Sequence, residues 1–145
     1  MQDPFNLERF VTAQASCYDR VLAELRRGHK STHWMWFIFP QIARLGRSPT
    51  AQFYALASLD EARAYLNHPV LGPRLVECTA AATAVPDGSA YDIFGGIDEV
   101  KFRSSLTLFA VAAADNPAFQ AALDRFFDGQ KDPLTLVRLD AGERL

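Results

Sequence analysis

Helix starts recur along this chain, and they constrain its fold more than any other feature. Ser48-Pro49 and Asn116-Pro117 each place a capping side chain before a first-turn proline, whose missing N–H costs nothing at that position. Ser58-Leu59-Asp60-Glu61 has the spacing of a capping box. Ahead of these signals, Leu7, Phe10, Val11, Cys17, Tyr18, Val21, Leu22 and Leu25 recur at three- and four-residue spacing. They form one face of an opening helix closed by Arg26, Arg27 and Gly28. Further helices are predicted from Ser48 through Leu56, from Ser58 to the residue before Pro69, and over Val70 to Val85 with Pro73 in its first turn. Two more run from Asp98 through Ala114 and from Asn116 to Gly129. Pro86-Asp87-Gly88-Ser89 and Gly95-Gly96 interrupt the pattern, leaving at most a short helical turn between them. The segment 132–139 fits a helix or an extended strand, and helix is favoured. The fold class that follows is all-α: a compact bundle of about six helices forming one domain over 1–145, without internal repeats or long linkers. Phe10, Val21, Phe102, Phe109, Leu123 and Phe126 are expected to share one core.

A chain of 145 residues can bury roughly two-thirds of its unfolded surface. Its net charge of -2 gives no global attraction to nucleic acid or to an anionic membrane, so neither is an expected partner. No stretch approaches the roughly 20 apolar residues of a membrane span. Met1 to Asn6 lacks the cationic and apolar regions of a secretory leader. A cytoplasmic location is therefore expected. Cys17 and Cys78 are too few for a disulfide framework and fall on helical patterns, where a small thiol packs well. No phosphate-binding glycine loop of Walker type, dinucleotide fingerprint, nucleophile elbow, Cys-x-x-Cys or His-Glu-x-x-His helix is present. No cofactor is expected.

Two regions carry the candidate chemistry. The segment His33-Trp34-Met35-Trp36-Phe37-Ile38-Phe39-Pro40-Gln41 holds both tryptophans beside a histidine and a glutamine. Periodicity does not decide whether it is a strand or a helix, or whether it plugs a core or walls a pocket. The second region is the helix after Gly95-Gly96. At about 100° per residue, Lys101 and Ser105 share the arc of Phe102, Leu108, Phe109 and Ala112, with Asp98 at its head. A lysine on an apolar stripe must pair with an acid, reach the rim or meet a ligand anion, because burying a lone ammonium is costly. One reading makes Asp98 an N-cap, Lys101 a rim residue and Ser105 a satisfied hydroxyl. The other has Asp98, Lys101, Ser104 and Ser105 lining a polar pocket.

Other polar residues are weaker candidates. His29 and His33 lack the third protein ligand that a zinc site needs, so no metal is expected there. His68 suits a positive imidazole at a helix C-terminus. Arg44 and Arg47, just before the Ser48-Pro49 helix start, are placed either to meet an anion or to form a solvated basic loop.

The aromatic segment resembles that of a bacterial family labelled domain of unknown function 1810. Further similar stretches are Arg9-Phe10-Val11-x-Ala13-Gln14, His68-Pro69-Val70-Leu71-Gly72-x-Arg74-Leu75 and Ser104-Ser105-Leu106-Thr107-Leu108-Phe109, with Asp98 and Lys101 ahead of the last. The likeness spans nearly the whole chain and implies a mainly helical fold, but it supplies no established catalytic residue. Some members carry a calpastatin label, which implies a disordered inhibitor. The compact, aromatic, proline-poor pattern here contradicts that.

Three functions remain open. The first is a binding module whose pocket holds a small anionic or nucleotide-like ligand, with Trp34, Trp36, Gln41, Arg44, Ser104 and Ser105 as binding candidates. The second is a hydrolase or N-glycosidase acting on an ADP-ribose-like substrate. In that reading Asp98 is the general base or oxocarbenium stabiliser, and Lys101 or His33 orients an anion. A protein-interaction domain that uses the aromatic block as a hot spot is the third.

Overall fold

A computed structural model describes residues 3–143. Met1 and Gln2, which open the stretch read above for a secretory leader, lie outside the described residues, as do residues 144 and 145. The helices are α1 (Glu8–Ala15), α2 (Tyr18–Arg26), α3 (Met35–Ile38), α4 (Pro49–Tyr54), α5 (Leu59–Asn67), α6 (Leu71–Thr83), α7 (Ala90–Ala112), α8 (Pro117–Phe127) and α9 (Pro133–Glu143). The fold is thus mainly helical. The β pairing among the described residues is an isolated parallel bridge between Ile42 and Leu56.

Nine helices replace the expected six or so among the described residues, for three identifiable reasons. The opening helix is two helices. Ser16 and Cys17 leave regular helical geometry, which lets α1 turn toward α3 while α2 packs on α6. The aromatic block contributes a single helical turn, α3, settling the strand-or-helix question in favour of helix. The tail adds α9, whose start is organised by Asp132: its carboxylate accepts from the Thr135 amide and hydroxyl.

Local signals fixed the helix starts well. The side chains of Ser48, Ser58 and Asn116 accept from first-turn amides as caps do. The Ser58 box is only half closed, because Glu61 accepts from the Ala57 amide. The full capping box is at Ser89 and Asp92, so the short helical turn expected between Ser89 and Gly95 opens α7, and Asp98 is not its N-cap. Gly95 breaks α7 internally, with φ 84° and ψ 166°. That conformation suits glycine, and nothing lies within 4 Å of a Cβ placed there. Gly72 is required for a different reason: an added Cβ would stand 2.0 Å from the Leu66 carbonyl oxygen, so only glycine lets α6 start this close to the end of α5. His68 acts at that same junction. Its Nδ1 accepts from the Val70 and Leu71 amides, at 3.1 and 3.3 Å, and so it serves α6 as an acceptor instead of α5 as a cation.

The core is strongly aromatic. Phe10, Val21, Phe102, Phe109 and Leu123 are fully buried in one cluster, and Phe126 packs half-buried against it. Phe102 is the junction, with ring centroids 4.9 Å from Phe39, 4.4 Å from Phe94 and 5.8 Å from Phe126. One buried ion pair ties distant elements together. Arg9 on α1 meets Glu61 on α5 at 3.0 Å and donates to the Phe53 and Ala55 carbonyls at the end of α4 and to those of Phe5 and Asn6, so its guanidinium is fully engaged. Both thiols are free and buried. Burial pushes Cys78 up to about 12, which keeps it a structural thiol.

A candidate anion site between the aromatic block and helix α7

The site begins with a carboxylate that the sequence reading passed over. Glu24 lies on the buried face of α2, 1% exposed. Burial pushes its pKa up, but it accepts from the Ser31 and Thr32 amides, the Thr32 hydroxyl and Trp34 Nε1, at 2.6–3.0 Å. These bonds outweigh burial and hold the group down at about 2. The 31–34 segment is thereby pinned to α2, and Trp34 is locked into the core at 1% exposure.

Pinning this loop places Lys30. Its backbone N–H donates to the Ile93 carbonyl at 2.8 Å, joining the loop to α7 just ahead of the Gly95 break. Its ammonium reaches Asp98 Oδ2 at 2.8 Å and lies 5.1 Å from the Trp34 ring centroid. The other Asp98 oxygen faces Lys101 Nζ at 3.4 Å, and that ammonium lies 5.0 Å from the Trp36 ring centroid. Two lysines therefore share one carboxylate, and each rests on a tryptophan face. Their side chains are 7% and 22% exposed, against 18% for Asp98.

This triad borders a cavity of about 400 Å³ lined also by His33, Trp36, Phe94 and the Gly95 to Ile97 turn. A volume of that order suits a small-molecule ligand. A second cavity of about 440 Å³ adjoins it, sharing Gly96, Ile97 and Lys101, and contains Gln41 and Ser104 on its wall.

The predicted site residues divide accordingly. Asp98, Lys101, His33 and Trp36 meet around the first cavity, and Gln41 and Ser104 face the second. Trp34 is core, with its N–H spent on Glu24. Ser104 is structural, donating to the Val100 carbonyl and contacting the Asp132 carboxylate at 3.1 Å. Ser105 is buried away from both cavities, and its hydroxyl has no hydrogen-bond partner among the described residues. Arg44 is exposed, with φ 76°, and lines neither cavity, and Arg47 is exposed as well. No group of three or more His, Cys, Asp or Glu able to hold a metal occurs among the described residues.

The family described as "Protein of unknown function (DUF1810)" matches residues 4–139. The chain belongs to this family. It is also similar to the crystal structure of the conserved hypothetical protein Rv1873 from Mycobacterium tuberculosis, at 50% identity, with 95% of this chain and 99% of that chain covered and a TM-score of 0.94. No curated protein matches significantly in sequence. No described helix is long and apolar enough to cross a membrane.

Proposed function

We propose that this DUF1810 member binds a small anionic or nucleotide-like ligand in the cavity between the 30–36 segment and α7. One observation carries the reading: two ammonium groups converge on a single carboxylate at the cavity wall, leaving the cluster one positive charge in excess. A nearly buried lysine is costly unless its charge is compensated, and a ligand anion would complete the compensation that Asp98 provides only in part. Two features add support. The helical run restarts at the Gly95 break, so its opening turn lies on the cavity wall, where helix geometry favours negative charge. Trp36 and Phe94 provide ring faces beside the charges.

The arrangement favours binding over hydrolysis, because both Asp98 oxygens are engaged by lysines and the carboxylate serves as their counter-ion. An exposed aromatic hot spot is not favoured either, since Trp34, Met35 and Phe39 are buried. Titration with pyrophosphate, AMP and ADP-ribose, followed by calorimetry and by Trp36 fluorescence, tests the proposal. Saturable binding by one of these anions, lost in both Lys30→Met and Lys101→Met, is expected. Asp98→Asn separates the two chemistries. A binding site gains affinity of about fivefold when a competing carboxylate about 4 Å away is neutralised, whereas a hydrolase that relies on Asp98 loses turnover. Absence of binding by all three anions, or binding untouched by both lysine variants, overturns the proposal.

A further inference from the structure

Beyond its head group, the ligand has a second requirement written into the adjoining cavity. We infer that the natural occupant is an amphipathic anion: an aliphatic chain ending in one anionic group, its head at Lys30 and Lys101 and its chain along the groove between α7 and α9. This rests on the anion-binding reading above and adds the class of ligand.

The groove is built from aliphatic side chains. Ile97 and Val100 on α7 and Leu134 on α9 are 76%, 60% and 66% exposed, and all three line the second cavity with Leu45. Large apolar residues scattered singly over a surface need no explanation, but here they converge on one concavity. Val137, three residues after Leu134 and 61% exposed, extends the apolar row along α9.

Three observations select the occupant. First, the cavities share Gly96, Ile97 and Lys101, so one molecule can touch both. Second, the aromatic faces all belong to the first cavity and the second has none. A ring is therefore suited to the Trp36 side, whereas the α7–α9 groove fits a flexible aliphatic chain. Third, charge fixes the direction. The positive excess sits at Lys30, Asp98 and Lys101, while the acid on the groove wall, Asp132, is already engaged with Ser104 and Thr135. A second anionic end would face Asp132, so the far end of the chain is neutral.

The test is a chain-length series with two heads. Acetate, butyrate, hexanoate, octanoate and decanoate are titrated below their aggregation concentrations, with octanol and octyl phosphate as head-group controls, and pyrophosphate is titrated in parallel. Affinity should rise about fourfold per methylene until the groove is filled. Octanol should bind at least tenfold more weakly than the better of octanoate and octyl phosphate, and the better of those two identifies the head. Val100→Asn should abolish the length dependence while leaving pyrophosphate binding intact, and Lys101→Met should remove the head preference. Pyrophosphate binding without any length dependence overturns the amphipathic inference and leaves the anion site standing. Length dependence with octanol equal to octanoate also overturns it, as does concentration-dependent dimerisation abolished by Val100→Asn, which would assign the groove to a second copy of the chain.

Discussion

Glu24 and Asp98 are two carboxylates that hold the 30–34 segment, with opposite fates. Glu24 is sealed and saturated by neutral donors drawn from the loop it organises, with the exposed Arg20 guanidinium 4.0 Å away offsetting its charge, so every hydrogen bond it makes serves the architecture. Asp98 is partly open and outnumbered by cations, and its partners come from the loop and from its own helix. A saturated carboxylate has nothing left to offer a ligand, whereas an undercompensated cluster at a cavity has. The difference teaches that an acid in a helix-rich core is not in itself a sign of chemistry. What matters is whether the charges around it cancel.

The contrast breaks most readily at Glu24. Glu24→Ala strands two amides, a hydroxyl and an indole N–H, and the loss should be about 3–4 kcal/mol, measured as a lower urea midpoint at unchanged slope. A loss below about 1 kcal/mol would mean that water replaces the carboxylate and that the loop is not organised by it. The acid limb sharpens the same point. Glu24 titrates at about 2 in the folded protein, against 4.5 ordinarily, so the unfolded state takes up the proton first. Its contribution of ~3 kcal/mol is complete above pH 4.5, falls as pH drops from 4.5 toward 2, and should be missing from the acid-unfolding curve of Glu24→Gln.

Asp98→Asn should cost less, about 1 kcal/mol, because its ion pairs are partly solvated and its removal leaves two like charges facing each other. Urea denaturation with a loss above 3 kcal/mol would put Asp98 in the same class as Glu24. Lys101→Met should move stability least, within about 0.5 kcal/mol in thermal unfolding, since a methionine retains the apolar stem beside Trp36. A large destabilisation there would make Lys101 structural.

How much of this was legible in the chain depended on range. Helix starts at Ser48, Ser58 and Asn116 could be read because a cap and its amide lie within three residues of each other. The break at Ser16 and Cys17 could not, since no glycine or proline marks it and the cause is the divergent packing of α1 and α2. Lys101 and Asp98 were visible as a polar interruption on an apolar arc. Lys30 was not, because its meaning arises only when a loop near the start of the chain docks on α7. Glu24 carried a usable signal: it falls between Val21 and Leu25 on the buried face of α2, an anomaly of the same kind as Lys101. Ser105, read on the apolar arc of α7, is buried with no hydrogen-bond partner among the described residues, and Ser104, read as a pocket-wall residue, contacts the Asp132 carboxylate on the wall of the second cavity.

The unequal burial of the two tryptophans has a spectroscopic consequence. Trp34 is shielded from solvent and hydrogen-bonded to Glu24, so its emission should be blue-shifted, resistant to iodide and acrylamide, and sensitive mainly to unfolding. Trp36 borders the charged cavity with an ammonium over its ring, so it should carry the quenchable fraction and respond to whatever enters. The chain contains no other tryptophan. Intrinsic fluorescence thus separates into two native channels, one reporting the integrity of the fold and the other the occupancy of the site, without any label attached.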